Sequence, residues 1–164
     1  MHARLRFAVF ALLSITASSG CGATQTPSDN GESGLRSLPE SRALEVVREA
    51  AADSGVNVGE GFSADLAGGA IDVDFRLGTN FGVEWVSAQD RANDPTLPEP
   101  PTGGQLRIIA EPGGAQILIL ESASYRYDPR RARVQAGATS AADVEARLRR
   151  DLRDFFVYAG LTNG

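Results

Sequence analysis

The sequence contains no lysine: its 16 basic residues are all arginine. It has one histidine, His2, and one cysteine, Cys21. Beyond residue 21 there is no imidazole, no side-chain amine and no thiol. That removes Ser-His-Asp and Cys-His nucleophile systems from the body of the chain. It also removes zinc sites built on histidine or cysteine, lysine Schiff bases and the phosphate-loop lysine. A single cysteine forms no internal disulfide, so the core must hold itself together. The chemistry that remains belongs to carboxylates, tyrosine, arginine and serine. Carboxylate pairs alone can hydrolyse glycosides, but such enzymes usually need a larger scaffold with a deep cleft. The expectation is no enzyme and no cofactor.

Long apolar runs are also absent. The longest, Phe7 to Ala17, is eleven residues, against the roughly 20 that a membrane-spanning helix needs. It follows Arg4 and Arg6 in a segment without acids, the charged and apolar pattern of a secretory signal peptide. Ala17-Ser18-Ser19 would serve as an ordinary small-x-small cleavage site. Ala17-Ser18-Ser19-Gly20-Cys21 also resembles the lipobox of bacterial lipoproteins, with serine at position 18 where leucine is usual. The resemblance covers residues 1–21 only. It implies a signal peptide over 1–20 and a diacylglycerol on the sulfur of Cys21. It further implies attachment to the cell membrane or outer membrane, the rest facing the periplasm or exterior. Two or more acyl chains hold a protein stably where one does not. Lipidation would also explain why the cysteine stands alone. For the remainder of the chain no family resemblance is found.

Residues 22–36 are rich in Gly, Ser, Thr, Asp and Asn and bury too little to order themselves. With Cys21 they are expected to form a flexible tether, 21–36, spanning on the order of 20 Å. Residues 37–164 are expected to form one domain. From Gly22 to Glu121 there are 6 arginines and 16 acids, and from Ser122 onward 8 arginines and 5 acids. Opposite charge on the two parts reads as mutual attraction within a fold, not as a nucleic-acid surface.

Two helices are legible. Ser37 and Glu40 have capping-box spacing, and Ala43, Leu44, Val47, Ala50 and Ala51 line one side up to a stop at Gly55. Near the C-terminus Ser140 and Asp143 precede a stripe of Val144, Leu148, Leu152, Phe155 and Ala159, ended by Gly160. The pairs Asp143–Arg147 and Arg150–Asp154 lie four apart, so the polar face is expected to neutralise itself.

Between the helices the period is two. Phe62, Ala64 and Leu66 suggest a short strand among glycines. Residues 70–87 read as a hairpin with a three-residue loop, pairing Leu77 with Phe81, Phe75 with Val83 and Val73 with Trp85. A one-residue slip would turn the apolar side chains outward. Residues 105–121 read as a second hairpin around Pro112-Gly113-Gly114. It is apolar on both faces: Leu106, Ile108, Leu118 and Leu120 against Ile109, Ile117 and Ile119. Such a hairpin is either covered twice or offers one face to a partner. The fold class expected is α+β, an antiparallel sheet of four or five strands with an N-terminal and a C-terminal helix on one face. Val73, Phe75, Val83 and Trp85 should face Leu152 and Phe155.

Three places invite a functional reading. The hairpin register sets Asp74 opposite Glu84 with Asp72 nearby, a weak calcium site or a solvated face relieved by Arg76. No calcium-loop spacing is present, so no metal is expected. Residues 88–104, with Pro95, Pro98, Pro100 and Pro101, form a long connection that is either disordered or a partner-binding loop. Tyr125-Arg126-Tyr127 with Arg130, Arg131 and Arg133 interleaves aromatics and cations, which suits anionic polymers, headgroups or sugars. The chain as a whole reads as a membrane-tethered envelope module that binds an envelope protein or polymer. The alternatives are a structural surface lipoprotein without a ligand, or a carboxylate hydrolase requiring two acids lining one cleft.

Overall fold

A computed structural model describes residues 34–66, 69–100, 105–130 and 136–162. Cys21, the signal peptide and nearly all of the expected tether lie outside the described residues.

The chain enters as a short strand, β1 (Arg36–Ser37), paired antiparallel with β9 (Arg126–Tyr127). Arg36, assigned above to the tether, is thus part of the folded structure. The N–H of Leu38 donates to the carbonyl of Tyr125 at 2.8 Å, and Leu38 is buried. This extended pairing overrides the expected Ser37 cap. Helix α1 (Glu40–Asp53) begins instead at Pro39, whose fixed φ suits the entry, and no side chain caps it. Its buried face is Ala43, Val46, Val47, Ala50 and Ala51. Gly55 (φ 67°) ends it in a Schellman turn, with Val56 N–H donating to the Ala51 carbonyl at 2.8 Å.

Strands β2 (Val58–Gly59), β3 (Phe62–Leu66), β4 (Gly69–Val73), β5 (Phe75–Leu77) and β6 (Phe81–Val86) follow. After helix α2 (Ala88–Asn93) come β7 (Arg107–Ala110), β8 (Gln116–Glu121), a short 3-10 turn (Ser122–Ser124), β9, and α3 (Ala141–Tyr158). The fold is α+β. Its main sheet has five strands in the order β2-β5-β6-β8-β7. All neighbours run antiparallel except β6 and β8, which are parallel. Helix α2 and β7 occupy the crossover that a parallel pair requires.

The first hairpin is correct in its loop and wrong in its extent. Leu77 pairs with Phe81 and Phe75 with Val83, as expected, but Val73 does not meet Trp85. The ladder breaks at Asp74. Its N–H donates to Glu84 Oε2 at 3.0 Å, and the N–H of Trp85 donates to Asp74 Oδ2 at 2.8 Å. Side chains take up the backbone groups that a continuing ladder would have used. Residues 69–73 therefore leave the sheet and pair with β3 over five positions, Phe62 with Val73 through Leu66 with Gly69.

This β3–β4 hairpin forms a flap over the outer face of the sheet. Ala64, Ile71 and Val73 pack there with Val86, Leu97, Ile117 and Ile119. The helices cover the other face, where Phe75, Val83, Trp85, Leu118 and Leu120 meet Val47, Leu148, Leu152 and Phe155. Val73 thus belongs to the flap side, not the helix side. The second hairpin has the two faces expected, and its register pairs Ile108 with Leu118 and Ile109 with Ile117. Its outer apolar face is covered by the chain's own flap.

Gly82 shows how closely the flap sits. A Cβ there would fall 2.8 Å from Val73 Cγ1 and 3.0 Å from Phe62 Cε1. Gly82→Ala should cost about 1–3 kcal/mol in urea unfolding through overpacking. Adding Val73→Ala should recover most of it. A loss of stability that the second change leaves untouched would place the strain elsewhere.

Helix α3 keeps its capping box: the N–H of Asp143 donates to Ser140 Oγ and the N–H of Ser140 to Asp143 Oδ2. Its buried stripe is Val144, Leu148, Leu152, Phe155 and Phe156. Asp143 is spent on the cap, and Arg147 reaches the carbonyl of Ser124. Charge pairing also runs between the helices, beside the in-helix pairs Arg42–Glu45, Arg42–Glu49 and Arg149–Glu145. Arg42 of α1 grips both oxygens of Glu145 of α3 at 2.9 and 2.6 Å, and Arg149 of α3 bonds Glu49 of α1.

Candidate functional site

The break at Asp74 builds the most distinctive polar feature of the molecule. Glu84 lies on the outer face of β6, alternating with Trp85 on the helix face. Asp74 stands at the bend beside it. Each carboxyl accepts a backbone N–H from the other's segment, and the two hydrogen-bond one another. Burial pushes Glu84 up to about 9, and the neighbouring Asp74 charge adds to the shift. Asp74 is raised as well, again chiefly by burial, and Asp90 of α2 acts on both in the same direction. Glu84 therefore carries the shared proton at neutral pH.

Asp72 is not part of this arrangement. It sits opposite Ser63 in the flap and is exposed. Among the described residues no group of three or more His, Cys, Asp or Glu side chains is placed to hold a metal. Nor does Arg76 relieve the pair: its guanidinium lies over the Phe62 ring, 4.0 Å from the centroid. The expected solvated carboxylate face is instead a half-buried acid pair.

Asp74 also forms one wall of a cleft of about 790 Å³ between the C-terminus of α1 and β5. Arg48, Asn57, Glu60 and Asp74 supply its polar side chains, Phe75 with Ala52, Val56 and Val58 its apolar ones, and Gly55, Gly59 and Gly61 its bare backbone. The Arg48 guanidinium lies 4.6 Å from the centre of the Phe75 ring. A stacked guanidinium is held by its face, which leaves its rim of N–H donors to point outward. Glu84 is not on the cleft wall. The second acid that lines it, Glu60, is exposed at the rim. The cleft thus mixes donors and acceptors: Arg48 donates, Asp74 and Glu60 accept, Asn57 and the loop backbone do both.

The other two candidate places differ from the sequence expectation. Residues 88–93 are helix, begun by a Ser87–Asp90 capping box, where a disordered or partner-binding connection was expected. Leu97 is buried beneath the flap. The segment is a packed crossover up to Pro98, while residues 101–104 lie outside the description. Tyr125 is buried at 4% exposure, stacks near Trp85 at 5.5 Å and donates its hydroxyl to Asp151 at 2.9 Å. It is a core residue with a polar end. Tyr127 is half-buried and Arg126 exposed; Arg131 and Arg133 lie outside the described residues.

Arg48, Asn57 and Glu60 were missed in the sequence because each is an ordinary surface residue by pattern. The one signal was the cluster Gly55, Gly59 and Gly61, in which Gly55 takes the positive φ of the helix stop and Gly61 marks a close backbone approach. At Gly61 a Cβ would fall 2.3 Å from the Val73 carbonyl oxygen. Compared with known proteins, the chain matches no family model, no curated protein and no solved structure.

Proposed function

We propose that this chain is a lipid-anchored envelope lipoprotein and a non-enzymatic binding module, and that its cleft takes a hydroxyl-rich segment of an envelope polymer. The observation that carries the cleft reading is Arg48, stacked on Phe75 across from Asp74 with no hydrogen bond to another described residue. Vicinal hydroxyls both donate and accept, and this wall offers both kinds of partner. A site built to hydrogen-bond hydroxyls rejects ligands that lack them, since its polar groups are then left unpaired.

Hydrolysis is disfavoured by the placement of the acids. Glycoside cleavage needs a protonated acid and a carboxylate with the scissile bond between them. The carboxyl that holds a proton, Glu84, faces Asp74 and lies off the cleft wall. The anchor reading rests on the sequence around Cys21 and on the lone thiol.

The test joins both parts. The full chain, expressed in a bacterial envelope and labelled with palmitate, should carry label and sediment with membranes. Cys21→Ala should lose both. Extracted in neutral detergent, the labelled protein should bind isolated peptidoglycan fragments, and Arg48→Ala should weaken that binding at least about tenfold, the loss of one good contact. Label on Cys21→Ala would overturn the anchor. Equal binding by wild type and Arg48→Ala, or none by either, would overturn the cleft.

A further inference from the structure

The flap is fastened to the rest of the fold at few points. Its ladder, β3 with β4, is separate from that of the five-stranded sheet. Among the described residues one hydrogen bond ties its strands to another element: the N–H of Asp65 donates to Glu111 Oε1 at 3.2 Å, at an exposed position. The remaining hold is apolar, and it belongs to the smaller of the two buried clusters. Only Ala64, Ile71 and Val73 of the flap are fully buried in it; Phe62 and Leu66 are half-buried. A unit with few buried contacts and its own ladder is one that can open without unfolding the rest.

Two joints connect the flap to the sheet. Gly59-Glu60-Gly61 leads in, and Asp74 leads out. The second joint is clasped. The N–H of Asp74 donates to Glu84 Oε2, and Asp74 Oδ2 accepts from the N–H of Trp85, so backbone and side chain of one residue are both bonded to β6. Two carboxyls in contact need a proton between them; without it, two like charges face each other half out of water. The surroundings sharpen that repulsion. Across the ladder from Glu84, β8 offers only Ile119. From α2, Asp90 adds a third negative charge. From α1, Arg48 favours the charge at Asp74 from its place over Phe75, and from β5 Arg76 lies over Phe62.

We propose that Asp74 and Glu84 form a proton-operated latch: they hold the joint of the flap while they share a proton, and its release lets β3 and β4 leave the sheet as a unit while the helix side stays folded. Opening uncovers Val86, Ile117 and Ile119. It also removes Asp74 as a wall of the cleft. That second consequence makes polymer binding proton-dependent and rests on the reading proposed above; the latch itself does not. The coupling has a definite size. Glu84 is held up to about 9 in the closed form and returns to the ordinary carboxylate range once the clasp opens. Each opening between pH 6 and 8 therefore releases one proton, and the closing equilibrium weakens about tenfold per pH unit.

Amide exchange of the full chain in a neutral maltoside detergent provides the test, at pH 6, 7 and 8, with each rate corrected for the intrinsic effect of pH. The ladder amides of β3 and β4 should be less protected than those of Leu148 and Leu152 in α3, which open only on global unfolding. Flap protection should fall about tenfold per pH unit. In Glu84→Gln it should be the same at all three pH values. Asp72→Asn, which alters an exposed flap acid outside the pair, should keep the wild-type slope. Flap protection that does not vary with pH in the wild-type chain overturns the latch. So does flap protection equal to that of α3 at every pH, since the flap then never opens by itself. Both of these results are read without any variant. A slope that survives Glu84→Gln also overturns it, by assigning the proton to another group. No ligand enters these measurements, so a failure of the cleft to bind polymer leaves them unchanged.

Discussion

Glu84→Gln should make the protein more stable at pH 8 by on the order of 2–4 kcal/mol, with almost no change at pH 5. Glutamine keeps the shape of the protonated acid. Its oxygen can accept the Asp74 N–H, and its amide can donate to the Asp74 carboxylate as the acid proton does. What it removes is the titration. The Glu84 pKa is raised from an ordinary 4.5 to about 9 in the folded state. The native state therefore holds that proton more tightly than the unfolded chain does. Its contribution is complete below about pH 4.5 and is lost as pH rises towards 9, at up to about 1.4 kcal/mol per pH unit. The groups that face the pair are Asp90, which opposes ionisation, and Arg48, which favours it at Asp74. The interhelical carboxylates act the other way. Glu145 and Glu49 are held below their ordinary values by Arg42 and Arg149. Asp143 is lowered by its cap. Their contribution is present above the ordinary carboxylate range and is lost on acidification. Wild type should thus be most stable on the acid side of neutral. Urea midpoints at pH 5, 7 and 9 decide the matter. A wild-type midpoint as flat as that of Glu84→Gln would mean that Glu84 ionises freely in the native protein.

The parts of the fold that were legible in the sequence are those set by local periodicity. The stripe from Val144 to Phe155, the Gly55 and Gly160 stops, and the turn around Gly114 each depend on a few adjacent residues. The two-faced hairpin was legible too, because Ile108 with Leu118 and Ile109 with Ile117 leave no other register. What failed was non-local. Nothing in the alternation from Ile71 to Trp85 marks Asp74 as the end of one strand and the start of another. The break exists because Glu84, ten residues on, captures the Asp74 N–H. Ser37 has the spacing to Glu40 of a helix cap, yet β9 holds it in a strand. The candidate site follows the same division. Asp74 and Glu84 were placed side by side by the register. Their burial, and the separation of Asp72, come from the flap, which forms only once residues 69–73 have left the sheet. The cleft at Arg48 is later still, since it needs both the end of α1 and the bend.

The flap also alters what the second apolar face means. Ile117 and Ile119 would suit a partner if β4 continued along β6. With β4 folded back onto β3, Ala64, Ile71 and Val73 occupy that face. The bend at Asp74 thus closes one surface and opens another, the cleft wall below it. An acid pair that holds its proton makes this geometry firmest where Glu84 is neutral, so the polymer binding proposed for Arg48 should, if it occurs, weaken in parallel with the loss of stability above neutral pH.

The largest loss of stability from a single surface-side substitution is expected at Arg91. Glu121 ends β8 on the flap side and is only 5% exposed. Arg91 of α2 holds both of its oxygens, and the same guanidinium donates to the Pro98 carbonyl at 2.8 Å. One side chain therefore fastens α2, the strand end and the segment carrying buried Leu97. Arg91→Met should cost about 3–5 kcal/mol in urea unfolding, because it strands a carboxylate out of water. Glu121→Gln should cost less, since the charge then left without its counter-ion, that of Arg91, is 27% exposed and keeps the Pro98 carbonyl as an acceptor. Arg91→Met with Glu121→Leu should recover much of the single-mutant loss, because paired apolar replacements refund the desolvation that the ion pair had to overcome. A single-mutant cost below about 1 kcal/mol would class the pair with ordinary surface bridges. A double mutant no better than Arg91→Met would locate the cost in the Pro98 contact. Amide exchange along β8 gives an independent reading. Protection at Ile119 and Glu121 should fall in Arg91→Met and return in the double mutant, since the flap packs on this strand only while Leu97 is held beneath it.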